Sequence, residues 1–277
     1  MNESCLCQRA LSTWAGISLD VRFPGAVMNA KARIFFFGDT HGGFEHCREI
    51  VMAGNPDAVI FLGDIQANQP LHEILGDIRH MTDVWWIPGN HDTDSAAIYH
   101  NLFNSELADR NLHGRVVDIH GVRIAGLGGV FRGTIWNPAR PYWRFYCPQD
   151  YETHSLLKAG NNGQGDRLRH RSSIFPSDYE ALMQEQADIL VLHEAPSCNR
   201  YGFAVLDRLA VRLGATRVFH GHHHDCYDYA AHFERMGFAA HAVGLRGVLD
   251  SNGMVIRAGD LDGSGEDRVA ALPDAQT

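Results

Sequence analysis

The fold of this chain is decided by a short stretch that reads Ile34-Phe35-Phe36-Phe37-Gly38-Asp39-Thr40-His41. Its first four residues are apolar and favour a buried β-strand. The glycine that follows has no side chain, so the backbone can pass close to neighbouring strands there. Asp39 and His41 can both bind a metal ion and come directly after the strand. Because ligands in open α/β sheets bind beyond the carboxyl ends of the strands, the stretch predicts a site at that edge.

The same pattern returns four times along the chain. A second apolar run ends in Gly63-Asp64, and a third ends at residues 89–92, which read Gly-Asn-His-Asp. The predicted strand Ile189–Leu192 ends in His193, and the strand Arg217–Phe219 leads into a histidine-rich segment at residues 220–224. Any one of these groups alone has the composition of an ordinary turn. Five such strand ends together predict that their side chains meet in one crevice.

The candidate ligands share oxygen or nitrogen donors and include no thiolate: Asp39, His41, Asp64, Asn90, His193, His222 and His224. Seven ligands are too many for one tetrahedral ion, and they suit two ions that share a bridging carboxylate. The register of the last segment is open, because His220 and His222 have the same spacing as His222 and His224. The glycine before His222 favours the later pair.

Between these motifs, apolar runs alternate with amphipathic stretches, which predicts an α/β domain. Strands are predicted at Arg33–Phe37, Ala58–Leu62, Val84–Ile87, Val116–Ile119, Val122–Ala125, Ile189–Leu192, Arg217–Phe219, Phe238–Val243 and Met254–Arg257. Helices are predicted at about 43–53, 71–81, 95–103, 177–187 and 203–213. The fourth and fifth strands are separated only by His120-Gly121, which predicts a hairpin and therefore a mixed sheet.

Composition narrows the class of protein. The 277 residues carry 24 Lys and Arg against 33 Asp and Glu, a formal charge of −9, which argues against coating DNA or an anionic membrane through bulk charge. The six cysteines are scattered without a Cys-x-x-Cys pair, and no apolar run approaches the roughly 18 residues that span a bilayer. We therefore expect a cytoplasmic protein without a membrane segment.

The chain is expected to divide into an N-terminal extension at residues 1–30, a domain at 31–258 and a disordered, polar tail at 259–277. Met28 is an alternative start that would remove most of the extension. Residues 131–175 interrupt the domain with an insert loop that has seven basic and three acidic residues. Two interpretations of this insert are open: a solvated or subunit-contact loop, and a substrate clamp that uses Arg132, Arg140 and Arg144.

The ordered motifs resemble those of the calcineurin-like metallophosphoesterases. That family carries Asp-x-His, Gly-Asp, Gly-Asn-His-Asp/Glu, a lone His and Gly-His-x-His in this order, and all five elements occur between Asp39 and His224. The resemblance implies a four-layer sandwich of two mixed β-sheets flanked by α-helices. It implies one ion at Asp39, His41, Asp64 and His224. It implies a second ion at Asp64, Asn90, His193 and His222, with Asp64 as the bridge.

The resemblance also implies an activity, the hydrolysis of phosphomonoesters or phosphodiesters by a hydroxide held between two divalent ions. The donors suit Mn, Fe, Co, Ni and Zn alike. His91 is then free to act as general acid for the leaving group. Many relatives orient this histidine with an aspartate at the position of Ala67, so Asp92 is hypothesised to support His91 instead. The absence of Asp-Arg-Gly after Asp64 argues against the protein Ser/Thr phosphatase branch.

Two other functions stay open at this level. One is a nuclease or cyclic-nucleotide phosphodiesterase, in which the insert at 131–175 grips a nucleic acid or nucleotide or stacks a base. The other is a metal-bound interaction scaffold without turnover. The presence of His91 favours an enzyme, because a scaffold has no use for a general acid.

Overall fold

The computed structural model describes residues 32–140, 142–158 and 167–262. The expected N-terminal extension and the alternative start at Met28 lie outside the described residues. Of the expected tail, only residues 259–262 are described, and Asp260 there accepts a hydrogen bond from Arg257 at 2.8 Å. In the described part of the chain, no helix is both long and apolar enough to cross a membrane.

The first sheet has five strands in the order β10-β9-β1-β2-β3. Its parallel half consists of β1 (Ile34–Phe37), β2 (Ala58–Phe61) and β3 (Asp83–Trp86). Its antiparallel half consists of β9 (Val248–Asp250) and β10 (Val255–Arg257). β1 lies in the middle with every residue buried, which explains why its sequence is apolar on both faces.

The second sheet has the order β4-β5-β6-β7-β8. These strands are β4 (Arg115–Ile119), β5 (Val122–Leu127), β6 (Ile189–Leu192), β7 (Arg217–His220) and β8 (Ala239–Ala242). Only β4 runs antiparallel to its neighbour, and the other contacts are parallel. Both sheets are therefore mixed, and β5, β6 and β7 end at one edge.

The two sheets pack face to face. Between them the ring of Phe36 in β1 stacks on Phe219 in β7 with centroids 3.8 Å apart, and Ile60 and Ile189 belong to the same buried cluster. The outer face of the first sheet is covered by α1 (Glu45–Gly54), α2 (Leu71–Leu75) and α3 (Ala96–Phe103). The outer face of the second sheet is covered by α5 (Pro176–Leu182), α6 (Ala204–Leu213) and α7 (Phe233–Met236). The expected four-layer sandwich of two mixed sheets flanked by helices is confirmed.

Helix α6 shows how local sequence produces one outer layer. Its buried side chains are Val205, Leu206, Leu209, Ala210 and Leu213. This spacing places them on one face of a helix with 3.6 residues per turn. The helix ends at Gly214, which has the left-handed conformation that glycine adopts at low cost (φ 74°). The sequence therefore predicts both the buried face and the end of this helix.

Several predicted elements differ in extent from the structure. The helix predicted at 71–81 is α2 followed by a 3-10 helix at Gly76–His80, because Gly76 has a positive φ of 49°. The helix predicted at 177–187 ends at Leu182. The insert at 131–175 is not a plain loop, since it contains α4 (Pro148–Lys158). The hairpin at His120-Gly121 is confirmed.

Candidate metal centre

Glycines at the strand ends allow the backbone segments of the site to lie close together. A Cβ atom added to Gly89 would lie 2.2 Å from both the backbone nitrogen and Oδ1 of Asp64. A Cβ atom on Gly63 would lie 2.5 Å from Nδ1 of His193. Such distances are far below van der Waals contact, so these positions exclude any side chain. The glycines predicted to permit close approach do so here.

This crowding leads to a stability prediction. We expect Gly89→Ala to lower the free energy of unfolding by about 1–3 kcal/mol, the usual cost of an overpacked site, and to weaken metal binding by displacing Asp64. Thermal denaturation and elemental analysis of the purified variant measure the two effects. Gly133→Ala is the matched control, because a Cβ there meets no atom within 4 Å. Equal melting temperatures for the two variants would contradict the prediction.

One group of four predicted ligands lies in the segments that follow β1, β2 and β7. The donor atoms of Asp39, His41, Asp64 and His224 all lie within 4.8 Å of one another. The Nε2 atoms of His41 and His224 are 2.9 Å apart, and Nε2 of His224 is 3.3 Å from Oδ2 of Asp39. The structure thus brings together the four side chains that are expected to hold one ion.

A second group lies beside the first and shares Asp64 with it. The donor atoms of Asp64, His193 and His222 also lie within 4.8 Å of one another. Nε2 of His193 is 3.4 Å from Oδ2 of Asp64 and 3.2 Å from Oδ1 of Asn90. All four side chains expected at the other ion are therefore neighbours, and Asp64 lies between the two groups.

Backbone conformation helps to aim these side chains. His41, Asp64, Gln66, His222 and His224 all have positive φ angles, between 42° and 73°. For residues with a side chain, this conformation costs on the order of 1–3 kcal/mol and persists where the surrounding structure enforces it. Five of the eight such residues in the described part of the chain lie at the candidate site. The strain is thus concentrated where the donor atoms converge.

Hydrogen bonds fix the direction of two imidazole rings. Nδ1 of His193 donates to the carbonyl oxygen of Leu62 at 2.8 Å, and because a carbonyl only accepts, the proton must be on Nδ1. When the ring is neutral, its lone pair therefore lies on Nε2 and faces Asp64. Nδ1 of His41 likewise contacts Oε1 of Gln66 at 2.6 Å. Metal-binding histidines are typically oriented in this way through their other ring nitrogen.

The burial of Asp39 tests whether the site fits a cation. Asp39 is fully buried, and burial raises the pKa of its carboxyl to about 8. Oδ2 accepts a hydrogen bond from the backbone nitrogen of His222 at 2.8 Å, but no donor of the described residues reaches Oδ1. Buried carboxylates are usually paired or coordinate a metal. The unpartnered oxygen and the surrounding nitrogen donors therefore suit a divalent cation.

Asp64 is ionised more easily than Asp39. Burial opposes its ionisation, yet the positive charge of the His193 ring in its protonated form holds the pKa of Asp64 well below its usual range. Oδ1 of Asp64 also accepts a hydrogen bond from the backbone nitrogen of His91 at 2.7 Å. A carboxylate that is charged, buried and shared by both groups is suited to lie between two cations.

The residue that contacts the His91 ring is Asp94, and not Asp92 as hypothesised from the sequence. Both oxygens of Asp92 accept from backbone nitrogens, those of Gln66 at 2.7 Å and Gly89 at 2.8 Å. Nδ1 of His91 instead contacts Oδ2 of Asp94 at 2.6 Å. Residues 91–93 form a 3-10 helix, in which positions three apart lie on the same side. Asp94 therefore lies beside His91, while Asp92 points into the protein.

Sequence reasoning missed a further carboxylate at the site. Glu194 is buried, and burial raises its pKa to about 7. Its Oε1 accepts a hydrogen bond from the backbone nitrogen of Phe131 at 3.0 Å, and its Oε2 is 4.0 Å from Nε2 of His222. The only signal in the sequence is its position directly after His193. Glu194 joins the start of the insert to the candidate metal centre.

In the histidine-rich segment, His222 and His224 belong to the two groups of candidate ligands and His220 does not. His220 is the last residue of β7 and fully buried, and its Nδ1 contacts its neighbouring carbonyl, Gly221 O, at 3.0 Å. His223 stacks on Tyr201. Neither belongs to a described group of candidate ligands. Six of the seven proposed ligands belong to one of the two groups. The seventh, Asn90, contacts His193 of the second group.

Comparisons with known proteins identify the family of this chain. The family model for calcineurin-like phosphoesterases matches residues 32–226, more than half of the chain. An uncharacterized protein of Haemophilus influenzae is 42% identical over 221 residues, which are 79% of this chain and 94% of that protein.

Two solved structures are more distant. TT1561 of Thermus thermophilus is 15% identical, with 82% of this chain and 98% of that chain covered at a TM-score of 0.49. A phosphatase of Mycoplasma pneumoniae is 13% identical, with 77% and 72% covered at a TM-score of 0.35. Likenesses this distant support no statement about activity. The match of the family model shows that the chain belongs to the calcineurin-like phosphoesterase family.

Proposed function

We propose that this protein is a two-metal hydrolase of phosphomonoesters or phosphodiesters. The observation that supports this most directly is the convergence of seven donor side chains from five strand ends, with Asp64 shared by both groups. Asp39, His41, Asp64 and His224 would hold one ion, and Asp64, Asn90, His193 and His222 the other. Bound ions would supply positive charge for the phosphoryl oxygens and acidify a water molecule.

The residues of the chain have separate tasks in this proposal. His91 would donate a proton to the leaving oxygen, and it is suitably placed because its ring centroid lies 5.4 Å from that of His41. Its side chain is 44% exposed, so a substrate can reach it. Since Asp94 occupies Nδ1, Nε2 is the nitrogen that faces substrate. Asp92 would act only as a positioning residue, by holding the backbone nitrogens of Gln66 and Gly89.

The contact between Asp94 and His91 yields a prediction. We expect Asp94→Ala to lower kcat about 10- to 100-fold, the usual effect of removing a group that orients a functional side chain, while KM and metal content stay unchanged. Asp94→Asn should recover part of kcat, because an amide oxygen can still accept from Nδ1. Steady-state kinetics on the purified variants measure both. Equal kcat values for Asp94→Ala and the wild-type protein would show that Asp94 has no positioning role.

Other features belong to the same proposal. The candidate ions are Mn, Fe, Zn, Co or Ni, all compatible with carboxylate and imidazole donors. A cytoplasmic location is supported by the four cysteines of the described residues, which are all free: Cys47, Cys147, Cys198 and Cys226. Residues 31–258 would form the catalytic domain, with the insert at 131–175 as part of it.

A substrate panel tests the proposed function. The purified protein, supplied with Mn²⁺, is assayed with 4-nitrophenyl phosphate and bis(4-nitrophenyl) phosphate, and its metal content is measured by elemental analysis. Turnover of either ester, abolished by a chelator, is the expected result, and the faster ester shows the bond type. Bound metal without turnover of either ester or of natural nucleotide esters would favour the scaffold function instead.

A further inference from the structure

Residues of the insert line a cavity that contains none of the candidate metal ligands. The cavity has a volume of about 540 Å³, and its lining includes Arg132, Arg144, Arg169, Phe145 and Tyr151. None of the described residues that line it carries a carboxylate. This cavity, called the insert pocket below, is large enough for a small ligand. It concentrates positive charge in a chain whose formal charge is −9.

None of the three arginines of the insert pocket forms an ion pair with a carboxylate of the described residues, although the charge of the buried Glu194 acts on Arg132. Arg132 donates to neutral atoms, the carbonyl oxygen of Ser172 at 2.8 Å and Oγ of Ser173 at 3.1 Å. The arginines of the described residues that do pair with a carboxylate within 4.0 Å are others, such as Arg171, Arg123 and Arg246. The charges of the three pocket arginines are therefore available to an anionic ligand, for which arginine is well suited.

The aromatic side chains of the insert pocket are already engaged with one another. The ring centroids of Phe145 and Tyr151 are 5.2 Å apart in an edge-to-face contact, and those of Tyr151 and His170 are 4.5 Å apart. Phe131 makes an edge-to-face contact with Trp136 at 5.1 Å. These contacts favour packing within the wall over the stacking of a base. The ligand chemistry offered by the pocket is therefore anionic.

Two contacts place the insert pocket next to the metal centre. The backbone nitrogen of Phe131 donates to Glu194, which lies 4.0 Å from His222. Oγ of Ser172, which faces Arg132, contacts Oγ1 of Thr93 at 2.7 Å, and Thr93 lies three residues after Asn90. The insert pocket therefore borders the candidate metal centre, so we expect one elongated molecule to contact both.

We propose that the insert pocket binds a second phosphate group of the substrate, so that the preferred substrates are esters that carry two phosphates. This inference rests on the proposed function, since it takes the first phosphate to lie at the metal centre. It assigns a substrate-binding role to the insert. The arginines involved also differ from those of the substrate clamp predicted from the sequence. Arg132 and Arg144 belong to the insert pocket, Arg169 joins them, and Arg140 does not line the cavity.

Matched pairs of alkyl phosphates test the inference. The manganese-loaded protein is assayed with butyl phosphate and butane-1,4-diyl bisphosphate, and with the corresponding pairs of two and six carbons. We expect kcat/KM to be at least about tenfold higher for the bisphosphate of at least one length, because one charged hydrogen bond contributes about that much. In the double variant Arg144→Gln/Arg169→Gln, that ratio should fall to the statistical factor that comes from the two equivalent phosphates of the bisphosphate.

Arg140→Gln is the control, because Arg140 is exposed in the same insert and its side chain contacts Tyr142. It should keep the wild-type ratio. Equal ratios in the wild-type protein and the double variant, or a wild-type ratio no larger than the statistical factor at all three lengths, would overturn the inference.

A binding measurement separates failure of this inference from failure of the proposed function. Titration calorimetry on the manganese-loaded protein compares butylphosphonate with butane-1,4-diylbisphosphonate, neither of which can be hydrolysed at its C–P bond. Tighter binding of the bisphosphonate, lost in the double variant and kept in Arg140→Gln, would support the insert pocket even if no ester is turned over. Ester turnover without tighter binding of the bisphosphonate would leave the proposed function intact. It would overturn the inference that the insert pocket binds a second phosphate.

Discussion

Asp64→Asn is expected to abolish metal binding at both groups and, with it, catalysis. Asp64 is the side chain that the two groups share, and its Oδ2 lies 3.8 Å from Nε2 of His41 and 3.4 Å from Nε2 of His193. An amide removes the negative charge between the two proposed cations and presents an NH₂ group to one of them. Metal affinity should fall by more than the roughly 10- to 100-fold that follows removal of a residue that only supports a ligand.

Elemental analysis of the purified variant measures this effect, and circular dichroism checks that the fold is retained. Asp77→Asn is the matched control, because the Asp77 side chain is 78% exposed and belongs to neither group of candidate ligands. A variant at position 64 that retains the wild-type metal content would contradict the assignment of Asp64 as the bridge.

His91→Asn is expected to lower kcat by about 10²- to 10⁴-fold, the usual contribution of a general acid or base. The variant should keep its metal, because Asn90 and not His91 contacts His193 in the second group. The loss should be smallest for esters with a good leaving group such as 4-nitrophenolate, which departs without a proton. Kinetics with 4-nitrophenyl phosphate and an alkyl phosphate, combined with metal analysis, measure this difference.

His100→Asn provides the control, since His100 is an exposed histidine on α3. Full turnover by His91→Asn, or loss of its metal, would show that His91 is not the proton donor.

Much of the fold follows from local patterns. The sequence predicts the strands β1, β2, β6 and β7 within one or two residues, because each is a short, largely apolar run that is buried on both faces. It does not predict β9. That strand has only three residues, and it forms because it pairs with β1, more than two hundred positions away. A pattern of that length carries too little periodicity to indicate a strand.

The candidate site, like the fold, is only partly predictable from the sequence. The seven proposed ligands can be named from sequence because each follows a recognisable strand end. The partner of His91 cannot, since the choice between Asp92 and Asp94 depends on the 3-10 turn that begins at His91. Asp92 is turned towards the backbone nitrogens of Gln66 and Gly89, and Asp94 is left beside the ring.

The sequence by itself determined the layers of this protein and the residue types at its strand ends, because hydrophobic periodicity and glycine placement act over a few neighbouring residues. The tertiary structure alone decided which side chains meet. It placed Glu194 against Phe131, and it grouped Arg169 with Arg132 and Arg144 while Arg140 stays outside. These contacts join segments far apart in the chain, and their distances are set by how the two sheets and the insert pack.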